Sequence, residues 1–140
     1  MLRSKDLLRK ALLGNAALSG LSGLVLIIAS GAVAGLLGPD IPASLVVAVG
    51  VVCLGFAIAV AAIARPHEPE PLAAVVVTTL DVLWILGSVA LLAGFSDRLS
   101  TAGFWLVLGQ AVIVADFALL QAISLRRQLK DQALPTASTA

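Results

Sequence analysis

Four long apolar runs, broken by short polar segments, set the pattern of this chain. The runs cover about 15–37, 44–64, 72–94 and 103–125. At ~1.5 Å of rise per residue, each can cross a hydrocarbon core of roughly 30 Å, so each reads as a membrane-spanning helix. The breaks carry turn chemistry: GPDIP (38–42), RPHEPEP (65–71) and FSDRLSTA (95–102). The prolines of RPHEPEP forbid a helix and favour an extended, stiff, solvated connector. Ahead of the first run, Leu7, Leu8, Ala11 and Leu12 fall at helical spacing opposite Arg3, Lys5, Asp6 and Lys10. Residues 1–13 therefore read as a basic interfacial helix, or a snorkelling flank, leading into the first span. Residues 127–140 are polar and are expected to be a disordered tail. The fold class this predicts is all-α, an antiparallel four-helix transmembrane bundle over residues 14–126.

Composition sharpens the reading. The chain is 60% hydrophobic and only 12% charged, where a soluble domain is about 25% charged. A basic start followed by an apolar run looks like a signal peptide, but the run far exceeds an h-region of about 7–15 residues, so a retained anchor is expected. Charge then orients the spans. Eight of the nine Lys and Arg flank one side: Arg3, Lys5, Arg9, Lys10, Arg65, Arg126, Arg127 and Lys130. Arg98 alone falls on the other. By the positive-inside rule both termini are expected on the cytoplasmic side. A net charge of +1 gives no field for nucleic acid.

Small residues suggest how the spans pack. Gly31 and Gly35 form GxxxG, Ser19 and Gly23 form a related pair, and Ala57, Ala61 and Ala64 line one edge of the second span. Such residues let helix backbones approach closely in lipid. The bilayer is the obvious partner, and homo-oligomerisation through these faces is a second expectation. Cys53, the single cysteine, reads as a small packing residue within an apolar run.

The remaining question is chemistry, and it centres on polar residues inside the spans. Asp81 sits near the middle of the third run and Asp116 within the fourth, at similar expected depth. An ionisable group there is costly, roughly 2.5–3.5 kcal/mol on insertion scales, and marks a site by default. Two neighbouring carboxylates cannot both ionise cheaply. They could hold a proton, a cation or a small lipophilic ligand. Alternatively each carboxyl is hydrogen-bonded and only fastens helices together. Thr78, Asp81, Ile85 and Ser88 share one face of the third span. Gly109, Asp116 and Leu120 share a face of the fourth, with Gln110 and Gln121 on another. Trp84 needs an acceptor for its indole N–H: Asp81, Gln110 or a carbonyl. Asn15, Ser19 and Ser22 form a polar stripe on the first span. The candidate binding residues are thus Asp81, Asp116, Trp84, Asn15, Ser22, Thr78, Ser88, Gln110 and Gln121.

Enzyme classes fare worse. There is no CxxC for a vitamin K epoxide reductase-like enzyme, no pair of span histidines for haem and no zinc-protease motif. His67, Glu68 and Glu70 on one short loop are a weak metal signal, read as solvated. A non-enzymatic protein with no cofactor and no metal is expected. Small multidrug transporters carry their acid in the first span, which here has none. Claudin- and tetraspanin-like proteins need large cysteine-bearing outer loops, also missing. The segments LRKALLGNAALSGLSGLVLIIASG, TTLDVLWILGSV and LLQAISLRRQ together resemble small four-span bacterial membrane proteins with an Asn-plus-Ser first span and an Asp-x-x-Trp third span. That resemblance implies a bacterial cytoplasmic membrane and emphasises Asn15, Ser22, Asp81, Trp84 and Gln121. It implies no activity.

Overall fold

A computed structural model describes residues 4–67 and 69–133, and every regular element among them is helical. The order is α1 (Ser4–Ile28), α2 (Ser30–Leu37), α3 (Ala43–Ile63), α4 (Pro71–Phe95), a 3-10 turn (Ser96–Arg98) and α5 (Thr101–Ala133). Four segments are long and apolar enough to cross a membrane: Lys5–Ile28, Ala43–Ile63, Pro71–Arg98 and Thr101–Ala133. At most 28% of the apolar window of any of them is buried within the chain. The outward faces are therefore largely apolar, as expected of a multi-pass membrane protein, whose surroundings are as apolar as its core.

The boundaries differ from the sequence expectation in three places. Residues 4–13 run into the first span as one helix, as expected, but their apolar face is buried in the bundle and not at a membrane interface: Leu8 and Leu12 are fully enclosed. The expected first span of 15–37 divides at Ala29, whose φ of -105° and ψ of 26° leave the helical region. Ser30 and Gly31 follow, a pairing that commonly marks a kink. Ala29 still bonds on both sides of the break: its N–H donates to Val25 O and its O accepts from Val33 N–H, both at 2.9 Å. At the other end α5 continues as helix to Ala133, so residues 127–133 are helical. The rest of the expected disordered tail, 134–140, lies outside the described residues, as do Met1, Leu2, Arg3 and Glu68.

The helices do not pack in chain order. α1 packs on both α3 and α5, α4 packs chiefly along α5, and α3 barely touches α4. The α1–α3 contact is made at glycines. A Cβ on Gly23 would lie 2.8 Å from Gly50 O and 2.9 Å from Leu54 N, and one on Gly50 would lie 2.9 Å from Gly23 O. Only residues without side chains permit that approach. Gly31 and Gly35 would meet nothing within 4 Å, so their GxxxG pattern is not used inside the chain. At one end of the bundle, which we call the basic end, a single cluster joins all four spans: Leu8, Leu12 and Ala16, Val60 and Ala64, Ala74 and Val77, and Leu125. Arg9 Nε donates to Ala64 O (3.1 Å) at the end of α3. At the opposite end Ser100 fastens α2 to α5. Its N–H donates to Leu37 O (2.8 Å), its hydroxyl to Leu36 O, and its Oγ accepts from Gly103 N–H (2.9 Å) as the N-cap of α5.

Candidate functional site

The polar side chains inside the spans gather into two groups, because on each helix they recur at three- or four-residue steps and so share one face. On α4 that face carries Ala74, Val77, Asp81 and Ser88, all buried. On α5 it carries Ala111, Val114, Ala118, Gln121, Ser124 and Gln128.

The first group lies where α1, α4 and α5 meet. Asn15 Nδ2 donates to Asp81 Oδ2 at 2.7 Å. Gln121 Nε2 donates to the same oxygen at 3.0 Å. Asn15 and Gln121 are fully enclosed and Asp81 is 3% exposed. The amides are in turn oriented: Ser19 Oγ lies 3.4 Å from Asn15 Oδ1, and Thr78 Oγ1 lies 3.0 Å from Gln121 Oε1. Thr78 also reaches Ala74 O at 2.9 Å, so its single hydroxyl proton is shared between two acceptors. Among the described residues no Lys or Arg pairs with Asp81. Neutral dipoles alone compensate it, the arrangement expected where lipid leaves no water to do so. Asp81 Oδ1 makes no hydrogen bond. Yet among the described residues the one sealed side-chain polar atom lacking a partner is Gln128 Oε1. Asp81 Oδ1 is therefore unbonded but not completely sealed.

The second group joins α4 and α5 further along. Trp84 Nε1 donates to Gln110 Oε1 (2.9 Å), Gln110 Nε2 donates to Ser88 Oγ (3.2 Å), and Ser88 Oγ donates to Trp84 O (2.9 Å). Gln110 is thus the indole acceptor, of the three considered. Trp84 itself is exposed on the flank of the bundle and lines neither of the grooves described below.

Asp116 departs from the expectation. It is exposed, has no hydrogen bond or ion pair among the described residues, and does not join Asp81. The face of α5 that packs is the one bearing Gln110 and Gln121, not the one bearing Gly109, Asp116 and Leu120. Asp116 is five residues from Gln121, about 140° around the helix, so similar depth does not bring it to the same side. Ser22 is half-buried on α1 and makes no side-chain hydrogen bond. Cys53 is a half-buried free thiol. Gln128 was not legible as a member of the buried stripe. It lies seven residues beyond Gln121, and a span ended at Leu125 cuts it off.

Two open grooves lie near the basic end. One, of about 280 Å³, runs between α4 and α5 past Val75, Thr78, Thr79, Val82 and Arg126, and so touches the first group at Thr78. The other, of about 400 Å³, lies along α5 among Ile123, Arg127 and Lys130. Neither is lined by Asp81. What the site can do follows from these facts. It offers one carboxyl with two fixed donors on one oxygen, and the α4–α5 groove reaches the group through Thr78 and not through the carboxyl. No protein-family model matches the chain, and no curated protein and no solved structure matches it significantly.

Proposed function

We propose that this chain is a non-enzymatic, accessory protein of a bacterial cytoplasmic membrane, in which the Asn15–Asp81–Gln121 group holds three helices in register. The observation that carries the reading is the convergence of two amide donors, from α1 and α5, on Asp81 Oδ2. All three side chains are engaged with one another, and no groove reaches the carboxyl. The pairing order supports an antiparallel α4 and α5, since Gln121 meets Thr78 and Asp81 while Gln110 meets Trp84 and Ser88. The Lys and Arg distribution supports both termini lying on the cytoplasmic side.

A second reading is favoured by the unbonded, unsealed Oδ1 of Asp81: exchange of a proton or cation there. One experiment separates the two. Purified wild type, Asp81→Asn and Asp81→Leu are compared for thermal unfolding in detergent and for proton and alkali-cation flux in liposomes. The structural reading expects Asp81→Leu to unfold several degrees lower and wild-type liposomes to leak no faster than empty ones. Wild-type flux that Asp81→Asn abolishes while leaving the unfolding temperature unchanged would overturn it in favour of transport.

A further inference from the structure

We propose that the outward face of α5 centred on Asp116 is the contact between two copies of this chain. Along that face Gly109, Val112, Ile113, Asp116, Leu120 and Ile123 recur at three- or four-residue steps, and all are exposed. They lie opposite the stripe that packs on α1 and α4, so no element of the chain covers them.

Two independent observations turn this bare face into a contact. The first is the carboxyl. Asp116 lies ten residues before Arg126 and eleven after Trp105, roughly 15 Å along the helix from each. That is the centre of a hydrocarbon core of roughly 30 Å. A carboxyl pointing into lipid there, with no partner among the described residues, is among the least favourable placements a membrane protein can hold. Asp81 at comparable depth has two donors; Asp116 has none. The second is clearance. A Cβ on Gly109 would meet nothing within 4 Å, so two turns from the carboxyl the helix offers bare backbone to an approaching helix.

The same chain is the occupant that chemistry selects. Two other exposed polar groups deep in the spans are engaged within the chain: Thr79 Oγ1 with Val75 O (2.8 Å) and the Trp84 indole with Gln110. No exposed cation lies at that depth on the face. A carboxyl is its own complement, because a proton held by one donates to an oxygen of the other. A two-fold axis through the face brings Asp116 to Asp116 and Gly109 alongside its neighbour's α5. Such an isologous contact closes as a dimer. The proposal is independent of what Asp81 does.

The test uses the full chain in liposomes. In a Cys53→Ala background, Ile113→Cys is oxidised mildly, with Val52→Cys on the outer face of α3 as the comparison. Disulfide dimers are expected at position 113 and not at 52. Gly109→Leu is the decisive variant, since its side chain meets nothing inside the chain and does not lower the unfolding temperature of the monomer. It is expected to abolish the cross-link, whereas Gly35→Leu and Gly55→Leu, also in open space, leave it intact. Asp116→Leu is expected to weaken association about three- to twenty-fold, the range of interhelical hydrogen bonds in membranes. Asp116→Asn, which keeps a donor and an acceptor, retains most of it. A chain that stays monomeric at every protein-to-lipid ratio overturns the proposal. So does equal cross-linking at 52, or dissociation by Gly35→Leu but not by Gly109→Leu.

Discussion

Replacing Gly23 by alanine tests the α1–α3 contact most directly. The added methyl would lie 2.8 Å from Gly50 O, 2.9 Å from Leu54 N and 3.3 Å from Leu54 Cα. Ordinary contact begins near 3.4 Å, so the two backbones must part by about 0.6 Å. The obstructing atoms are backbone, so no rotamer change relieves them. Overpacking of this kind costs about 1–3 kcal/mol. One effect opposes it: alanine is favoured over glycine within a helix by ~1 kcal/mol. Gly55→Ala isolates that term, because a Cβ at Gly55 of α3 meets nothing within 4 Å. Because the propensity gain is common to both, the difference between the two variants, measured by reversible unfolding in mixed micelles, should be about 1–3 kcal/mol with Gly23→Ala the less stable. Gly50→Ala should behave similarly, and the double variant should cost less than the sum, because one separation accommodates both methyls. If Gly23→Ala is as stable as Gly55→Ala, the close approach of α1 to α3 is wrong.

Two further predictions concern the basic end. Arg9→Ala removes the donor to Ala64 O at the end of α3 and should lower stability by about 0.5–1.5 kcal/mol. Arg9→Lys, which lacks the Nε donor, should not restore it, as thermal unfolding of the three proteins would reveal. Gln128 is 2% exposed with an unpartnered Oε1, so Gln128→Leu removes a buried orphan and should leave stability unchanged or raise it by ~1 kcal/mol in the same assay. A clear loss would mean that the amide has a partner.

The architecture was largely legible because length and hydropathy are strong signals in a membrane chain. Helix existence followed from runs that only a bilayer accommodates, and the prolines and glycines of the breaks marked their ends. The faces were half legible. Thr78, Asp81 and Ser88 were placed together correctly from periodicity, and Gln110 and Gln121 were recognised as pointing away from Asp116. Which of those two faces of α5 packs inward was not legible: in lipid an apolar stripe has no preference between core and solvent, so hydrophobicity cannot choose. The polar amides chose instead: Gln121 turns its own face of α5 toward Asp81 and leaves Asp116 on the outside. Depth was treated as evidence of proximity, although azimuth decides contact. The break at Ala29 was not legible because no proline marks it and the apolar pattern runs on through it. Gly23 was noted as part of a small-residue pair, but its partner Gly50 lies on another helix, a relation that one-dimensional spacing does not contain.

The packing order has a consequence for how the two halves adhere. The connector 65–70 separates a pair, α1 and α3, that meets at bare backbone from a pair, α4 and α5, that is buttoned by side chains: Thr78 and Asp81 to Gln121, Trp84 and Ser88 to Gln110. Van der Waals contact between glycines has nothing to exchange with its surroundings. Amide and hydroxyl buttons do, since any solvent that supplies donors and acceptors can take their place. The molecule therefore joins a dry half to an exchangeable half, and polar clasps cross the seam: Asn15 to Asp81 within the spans and Ser100 to Leu36 and Leu37 at one end.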